Sequence, residues 1–236
     1  MRCLGFGRWT LALGYDIDGD FHRAVEEDRE ALRVSNDPWL QQFPKLFMGI
    51  CLVESGDYDE ALKLCTEVIE YADPRGADTL SIPAAGLIGA SLAGLGNLDA
   101  GVGMLERSER ELRQSGRIWA HVLALYLLGA LYADAAKSGR GVSLRLVARN
   151  PRFFAFRALR VDSEARRYLE AAAEAADEIG ALGTSGEAWL ALAGLHSARG
   201  RRDEALRCYD SAAKQFMTCG ARQFIERVAV ERAAVE

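Results

Sequence analysis

The chain has 236 residues, half of them hydrophobic and 27% charged, with 23 Gly, only 5 Pro and a net charge of −5. That length buries a sizeable core as one large domain or two small ones, and the composition excludes a collagen-like, disordered or disulfide-scaffold protein. The acidic balance argues against general nucleic-acid binding by the whole chain. No apolar run reads as a membrane span of about 18 residues, and the first ten residues lack a signal-peptide pattern. The five cysteines (Cys3, Cys51, Cys65, Cys208, Cys219) contain no C-x-x-C pair. They read as reduced thiols, and the expected location is the cytoplasm. Scarce proline and abundant alanine predict an all-α protein.

Taken in chain order, helix-like stretches meet at four glycines, Gly19, Gly56, Gly96 and Gly200, each followed within a few residues by Asp. Glycine ends a helix without a Cβ clash, and the acid favours the next helix's N-terminus. Each glycine therefore marks a helix–turn–helix corner. Ala12, Gly49, Gly89 and Ala193 stand seven residues before these corners; Ala24, Ala61, Gly101 and Ala205 stand five after. Small residues at both points let two antiparallel helices cross closely. Tyr15, Leu52, Leu92 and His196, four residues before each corner, are large enough to fill the space within a pair.

A further pair is interrupted. Its first helix runs from Ile118 to Ala136, with Gly129 at the small position, but its partner begins only near Asp162, with Ala165, Leu169 and Ala172 in the core pattern. Between them lies an inserted segment, 137–161. The whole chain thus reads as a single array, 1–236, of about five helix pairs, closed by a capping helix over 221–235. The array opens without a polar capping segment, which reads as the start of a fragment.

This pattern resembles the tetratricopeptide repeat, best in the fifth unit, where Trp189, Leu192, Ala193, Ala205, Tyr209 and Ala212 are in place. Its units run 37 to 40 residues against the usual length of about 34. The resemblance implies a right-handed superhelical α-solenoid. Three stretches look narrower: Ser35 to Trp39 with Gln42 to Phe47, Arg149 to Phe154, and Ala175 to Ala181 continuing through Trp189, His196 and Cys219. Together they resemble the C-terminal repeat region of bacterial multidomain proteins that carry a class III adenylate/guanylate cyclase domain and a signalling ATPase module. That resemblance implies a regulatory tail. Both enzymatic parts are missing from this sequence, which lacks a G-x-x-x-x-G-K-[ST] loop and any alternating strand pattern.

Two candidate binding features follow. The first helices of such pairs line a concave face, where the register places Phe6, Trp9, Phe43, Leu46, Ile50, Val53, Leu123 and Tyr126, with Gly86, Ala90 and Ala93 leaving room. So apolar a groove either takes a peptide or helix or is covered by the protein's own chain. The second feature is the insertion, where Lys137, Arg140, Arg145, Arg149, Arg152, Arg157 and Arg160 stand without a single acid. The net −5 is therefore a +7 arm on a −12 remainder. One reading docks this arm on the array by Phe153, Phe154 and Phe156, its arginines paired to Glu170, Glu174, Asp177 and Glu178. The other makes it a contact for an acidic partner, a membrane surface or, least of all given the −12, nucleic acid.

His22, His121 and His196 stand far apart, so no metal or cofactor is expected. His196 reads as a packed core residue and Cys219 as the thiol nearest to exposure. The expected function is a non-catalytic protein-interaction or regulatory scaffold. Its partner would be a protein or peptide, with an ATPase or cyclase module of the same or a neighbouring polypeptide as one candidate. The alternative is a small-ligand sensor domain of a bacterial signalling or transcription regulator.

Overall fold

A computed structural model describes residues 2–137 and 144–235. Among them are thirteen α-helices: α1 Arg2–Asp18, α2 Phe21–Val34, α3 Gln42–Ser55, α4 Tyr58–Ala72, α5 Asp78–Gly94, α6 Leu98–Ser115, α7 Ile118–Lys137, α8 Leu144–Arg149, α9 Pro151–Phe156, α10 Val161–Glu178, α11 Leu182–Ala198, α12 Arg202–Cys219 and α13 Arg222–Ala233. The chain forms two compact units. The first is Met1–Gly96 with Ala100–Leu112; the second is Asn97–Asp99 with Arg113–Glu236.

The four expected corners are present. Gly19, Gly56, Gly96 and Gly200 all hold positive φ, between 69° and 86°, where a side chain would be strained. Gly76, Gly116 and Gly180 do the same between pairs. The small positions are close contacts. Ala12, Ala24, Ala61, Ala193 and Ala205 are buried. A Cβ on Gly49 would stand 2.7 Å from the Cys65 sulfur, and one on Gly129 would stand 2.6 Å from Leu169.

Helix composition follows position within a pair. The first helices α5, α7 and α11 are apolar nearly all round, because they are covered on more than one side. Their partners α6, α10 and α12 carry one apolar stripe and a solvated face. This pattern corrects one sequence expectation. α7, with 20 residues, is long and apolar enough to cross a membrane by length and composition. Here it packs against α10 and α11, with Leu128, Tyr132 and Ala133 buried.

α7 and α10 pair directly, so the fourth pair closes across its insertion. The described part of the insertion comprises α8, α9 and a 3₁₀ turn over Ala158–Arg160. It follows a helix ending at Lys137, and it runs straight into α10.

Candidate partner-binding site

In the first unit, the link from α2 to α3 is fixed by its own polar groups. The Asp37 carboxylate accepts the backbone N–H groups of Trp39 (3.0 Å) and Leu40 (3.3 Å). Gln41 donates to the Ser35 carbonyl at 2.6 Å, and Gln42 donates to that of Pro38 at 2.7 Å. These bonds set Trp39 beside the first turn of α3. There its ring lies 5.9 Å from Phe43, and the series continues from Phe43 to Trp9 (5.7 Å) and from Trp9 to Phe6 (5.4 Å).

The four rings line a pocket of about 280 Å³, completed by Gly5, Ala31, Ser35, Leu40 and Pro44. Gly5 brings α1 against the end of α2, since a Cβ there would already stand 3.2 Å from that of Ser35. The mouth is apolar and open: Phe6 is 57% exposed and Trp39 41%. Two cations near the lining in sequence are already engaged, Arg8 by Glu27 and Lys45 by Glu67, both at 2.7 Å. One polar group of the lining lacks a partner. The Trp9 indole N–H is buried and makes no hydrogen bond, a costly state that an acceptor on a bound molecule would relieve.

The structure divides the residues expected to line a groove. Phe6, Trp9 and Phe43 come together in this pocket. Leu46 and Ile50 are buried inside the first unit and Val53 is half-buried. In the second unit Tyr126 is buried and Leu123 half-buried. Gly86, Ala90 and Ala93 leave no space: all three are buried, and the Ser108 hydroxyl fills the position beside Gly86.

In the second unit, the arm is anchored. Phe153 is buried against Tyr132, ring to ring at 6.2 Å, and Tyr132 stacks in turn on Tyr168 at 5.9 Å. The Asp99 carboxylate accepts the N–H groups of Arg152 (3.2 Å) and Phe153 (2.6 Å). Asn150, fully buried, accepts from the Asp99 N–H and donates to the Leu146 carbonyl. Arg157 donates to the Tyr132 hydroxyl at 2.6 Å. Docking by Phe153 therefore matches the sequence expectation, whereas Phe156 points to solvent. Asp177, expected to pair with the arm, instead accepts from Gln215. Arg140 lies outside the described residues, as does the side chain of Arg145. Arg149, Arg152 and Arg160 are exposed.

Beyond the arm, one carboxylate collects three guanidinium groups. Asp162, the second residue of α10, meets Arg201 at 2.8 Å, Arg199 at 3.1 Å and Arg166 at 3.4 Å. Burial alone would raise its carboxyl, but the hydrogen bonds of Arg201 and Arg199 and the charge of Arg166 hold it below the usual range. His196 is buried nearby, its pKa lowered by burial and by the charge of Arg201.

No protein-family model matches the sequence, and no curated protein matches it. Solved structures do. A Rap protein complexed with competence and sporulation factor superposes with a TM-score of 0.51 at 13% identity, covering 97% of this chain and 62% of that one. The chain thus spans less than two-thirds of that neighbour's length. The TPR2AB domain of yeast Sti1, in complex with pHSP90, gives a TM-score of 0.41 at 16% identity, covering 98% and 99%. The fold is a tetratricopeptide-like α-solenoid. The repeat positions account for that fold, whereas the pocket also needs residues outside the register: Trp39, Leu40 and Pro44.

Sequence reading missed several groups. Cys3 is exposed, whereas Cys219 is half-buried with its thiol near the Phe216 carbonyl. Asp28 is only 1% exposed, and neither carboxyl oxygen has a hydrogen-bond partner. Its signal was present, since it lies four residues after Ala24, the small crossing position, and three before the buried Ala31 on the same helix face. Among the described residues, no group of three His, Cys, Asp or Glu side chains is placed to hold a metal ion.

Proposed function

We propose that this chain is a non-catalytic protein-interaction module whose aromatic pocket receives a large apolar side chain of a partner peptide. The pocket itself carries this reading: four rings around about 280 Å³ with an exposed apolar mouth. The lining carries no charged side chain, so a neutral apolar group is the suitable occupant. The unpartnered Trp9 N–H suits a backbone carbonyl next to that side chain. The fold agrees with this use, since a Rap protein of the same architecture was solved in complex with competence and sporulation factor.

A finer reading makes the partner segment part of an ATPase or cyclase module, in cis or in trans, with the chain as its cytoplasmic regulator. It rests on the three resembling stretches alone. A small apolar effector is the second reading, favoured by the confined volume of the pocket.

The test is selection of peptides from a displayed random library on the whole chain, followed by ¹⁵N spectra of the four tryptophan indoles. Selected peptides should share a large apolar residue and shift the Trp9 and Trp39 signals. Phe6→Ser, an exposed change, should weaken them by about tenfold. Binders indifferent to Phe6→Ser and Trp39→Ala would overturn the reading. Saturation by small apolar compounds with no peptide selected would favour the effector.

A further inference from the structure

The geometry points to a second interaction surface, at the outer end of the arm in the second unit, that fits an acidic segment carrying large apolar residues. The arm is anchored through Phe153, Asn150 and Arg157, and that anchoring leaves its last turns facing outward. Phe156 is 78% exposed and Leu159 99%. Two large apolar side chains three residues apart, both in water on an anchored segment, are costly for the isolated chain and suited to a partner.

Two arginines of the arm flank them in sequence. Among the described residues, Arg152 and Arg160 make no side-chain ion pair and are exposed. Directly after Arg160 comes the Asp162 cluster, where three guanidinium groups share one carboxylate and leave two positive charges in excess. The side chains of Arg166, Arg199 and Arg201 remain partly exposed beside it. The neighbouring Glu164 does not neutralise them, because it is held by Arg167 at 2.6 Å. Partly exposed guanidinium forks that outnumber their carboxylates select further carboxylates, which they bind in a bidentate way.

An acidic protein segment suits this surface better than a lipid bilayer or a nucleic acid. The remainder of the chain carries −12, which repels extended phosphate surfaces. Two apolar residues are also few for an interfacial anchor. A short segment with carboxylates on either side of a Leu or Phe offers partners to the apolar pair and to the arginines together.

The test uses the whole chain and a fluorescein-labelled peptide in which Glu flanks Leu and Phe, read by anisotropy at low salt. Controls are the same peptide with Lys for Glu, poly-glutamate, phosphatidylserine vesicles and a single-stranded DNA oligomer. The Glu–Leu–Phe peptide should bind, weaken with added salt, and exceed both other peptides by about tenfold. Phe156→Ser with Leu159→Ser, and separately Arg152→Glu with Arg160→Glu, should each lose about tenfold or more; all four positions are exposed, so the fold should stand. Phe6→Ser should leave this binding unchanged, which separates the surface from the pocket. Equal binding of poly-glutamate, indifference to both double variants, or binding of vesicles or DNA alone would overturn the proposal.

Discussion

The thiol of Cys51 on α3 lies 3.3 Å from the carboxylate of Asp16 on α1, inside the first unit. Burial lifts the Asp16 carboxyl to about 6, against the lowering effect of this bond. On α2, burial first and then the charges of Asp16 and Glu27 lift Asp28 to about 8. Burial and both aspartates push the Cys51 thiol up as well. Three helices therefore meet around two acids whose carboxyls titrate high, and Asp28 keeps its proton in the folded state near neutral pH. An unfolded Asp titrates near 3.8, so between that value and the folded ones the folded chain binds more protons than the unfolded one. Stability contributed by these groups is complete below about pH 4 and is lost as pH rises, through about 6 for Asp16 and about 8 for Asp28. The slope is at most about 1.4 kcal/mol per pH unit for each group. Urea unfolding followed from pH 5 to 9 should show this decline; a flat or rising curve would contradict it.

Asp28→Asn removes the ionisation and keeps the shape. The variant should gain stability over the wild type as pH rises from 6 to 9, with the two converging toward pH 4. A gain of about 1–3 kcal/mol at pH 8 is expected, since an uncharged buried amide still lacks a partner. Asp28 shares its stripe with Ala31 and Ser35, which line the aromatic pocket. Pocket binding should therefore weaken with rising pH in the wild type and lose that dependence in Asp28→Asn. Denaturant midpoints and peptide affinity across the same pH series check both statements.

The repeat was legible because it rests on spacing alone. A small residue seven before a corner and another five after it define the crossing of two helices wherever they occur, and the corner glycines adopt the expected backbone. The pocket was half legible. Phe6, Trp9 and Phe43 follow from the register, but Trp39 comes from the α2–α3 link, whose shape depends on the side-chain bonds of Asp37, Gln41 and Gln42. Leu46 and Ile50 share the same helix face in sequence, and only packing decided that they are enclosed. Asp28 escaped notice because a buried acid breaks the rule by which core stripes are recognised.

Gly101 and Gly103 sit in one helix, two residues apart, with opposite expectations. A Cβ on Gly101 would lie 2.5 Å from the Gly89 carbonyl oxygen and 2.7 Å from the Ala93 backbone N; one on Gly103 would meet nothing within 4 Å. Gly101→Ala should therefore force α5 and α6 apart and cost about 1–3 kcal/mol. Gly103→Ala should add about 0.5–1 kcal/mol through helix propensity. Thermal melts of the two variants against the wild type give the comparison, and equal effects would break the assigned crossing. Ala205→Leu tests the same contact in the fifth pair, where Ala205 is wholly buried, with an expected cost of about 1–3 kcal/mol.

Phe153 decides whether the arm stays on the second unit. Its ring fills the site beside Tyr132, and the Asp99 carboxylate accepts the consecutive backbone N–H groups of Arg152 and Phe153. Truncation to Ala removes a buried aromatic at a typical cost of about 3–5 kcal/mol. The arm contributes little to the pairing of α7 with α10, so that loss should appear as release of the arm while the unit stays folded. Trypsin then becomes a direct probe, because the segment is rich in arginine. Phe153→Ala should be cleaved within 149–160 many times faster than the wild type, with little change in far-ultraviolet circular dichroism. Tyr132→Phe removes only the acceptor of Arg157, a loss of about 1 kcal/mol, and should raise the cleavage rate by a few-fold. A Phe153→Ala arm as resistant as the wild type would mean that Asp99 and Asn150 hold it without the aromatic.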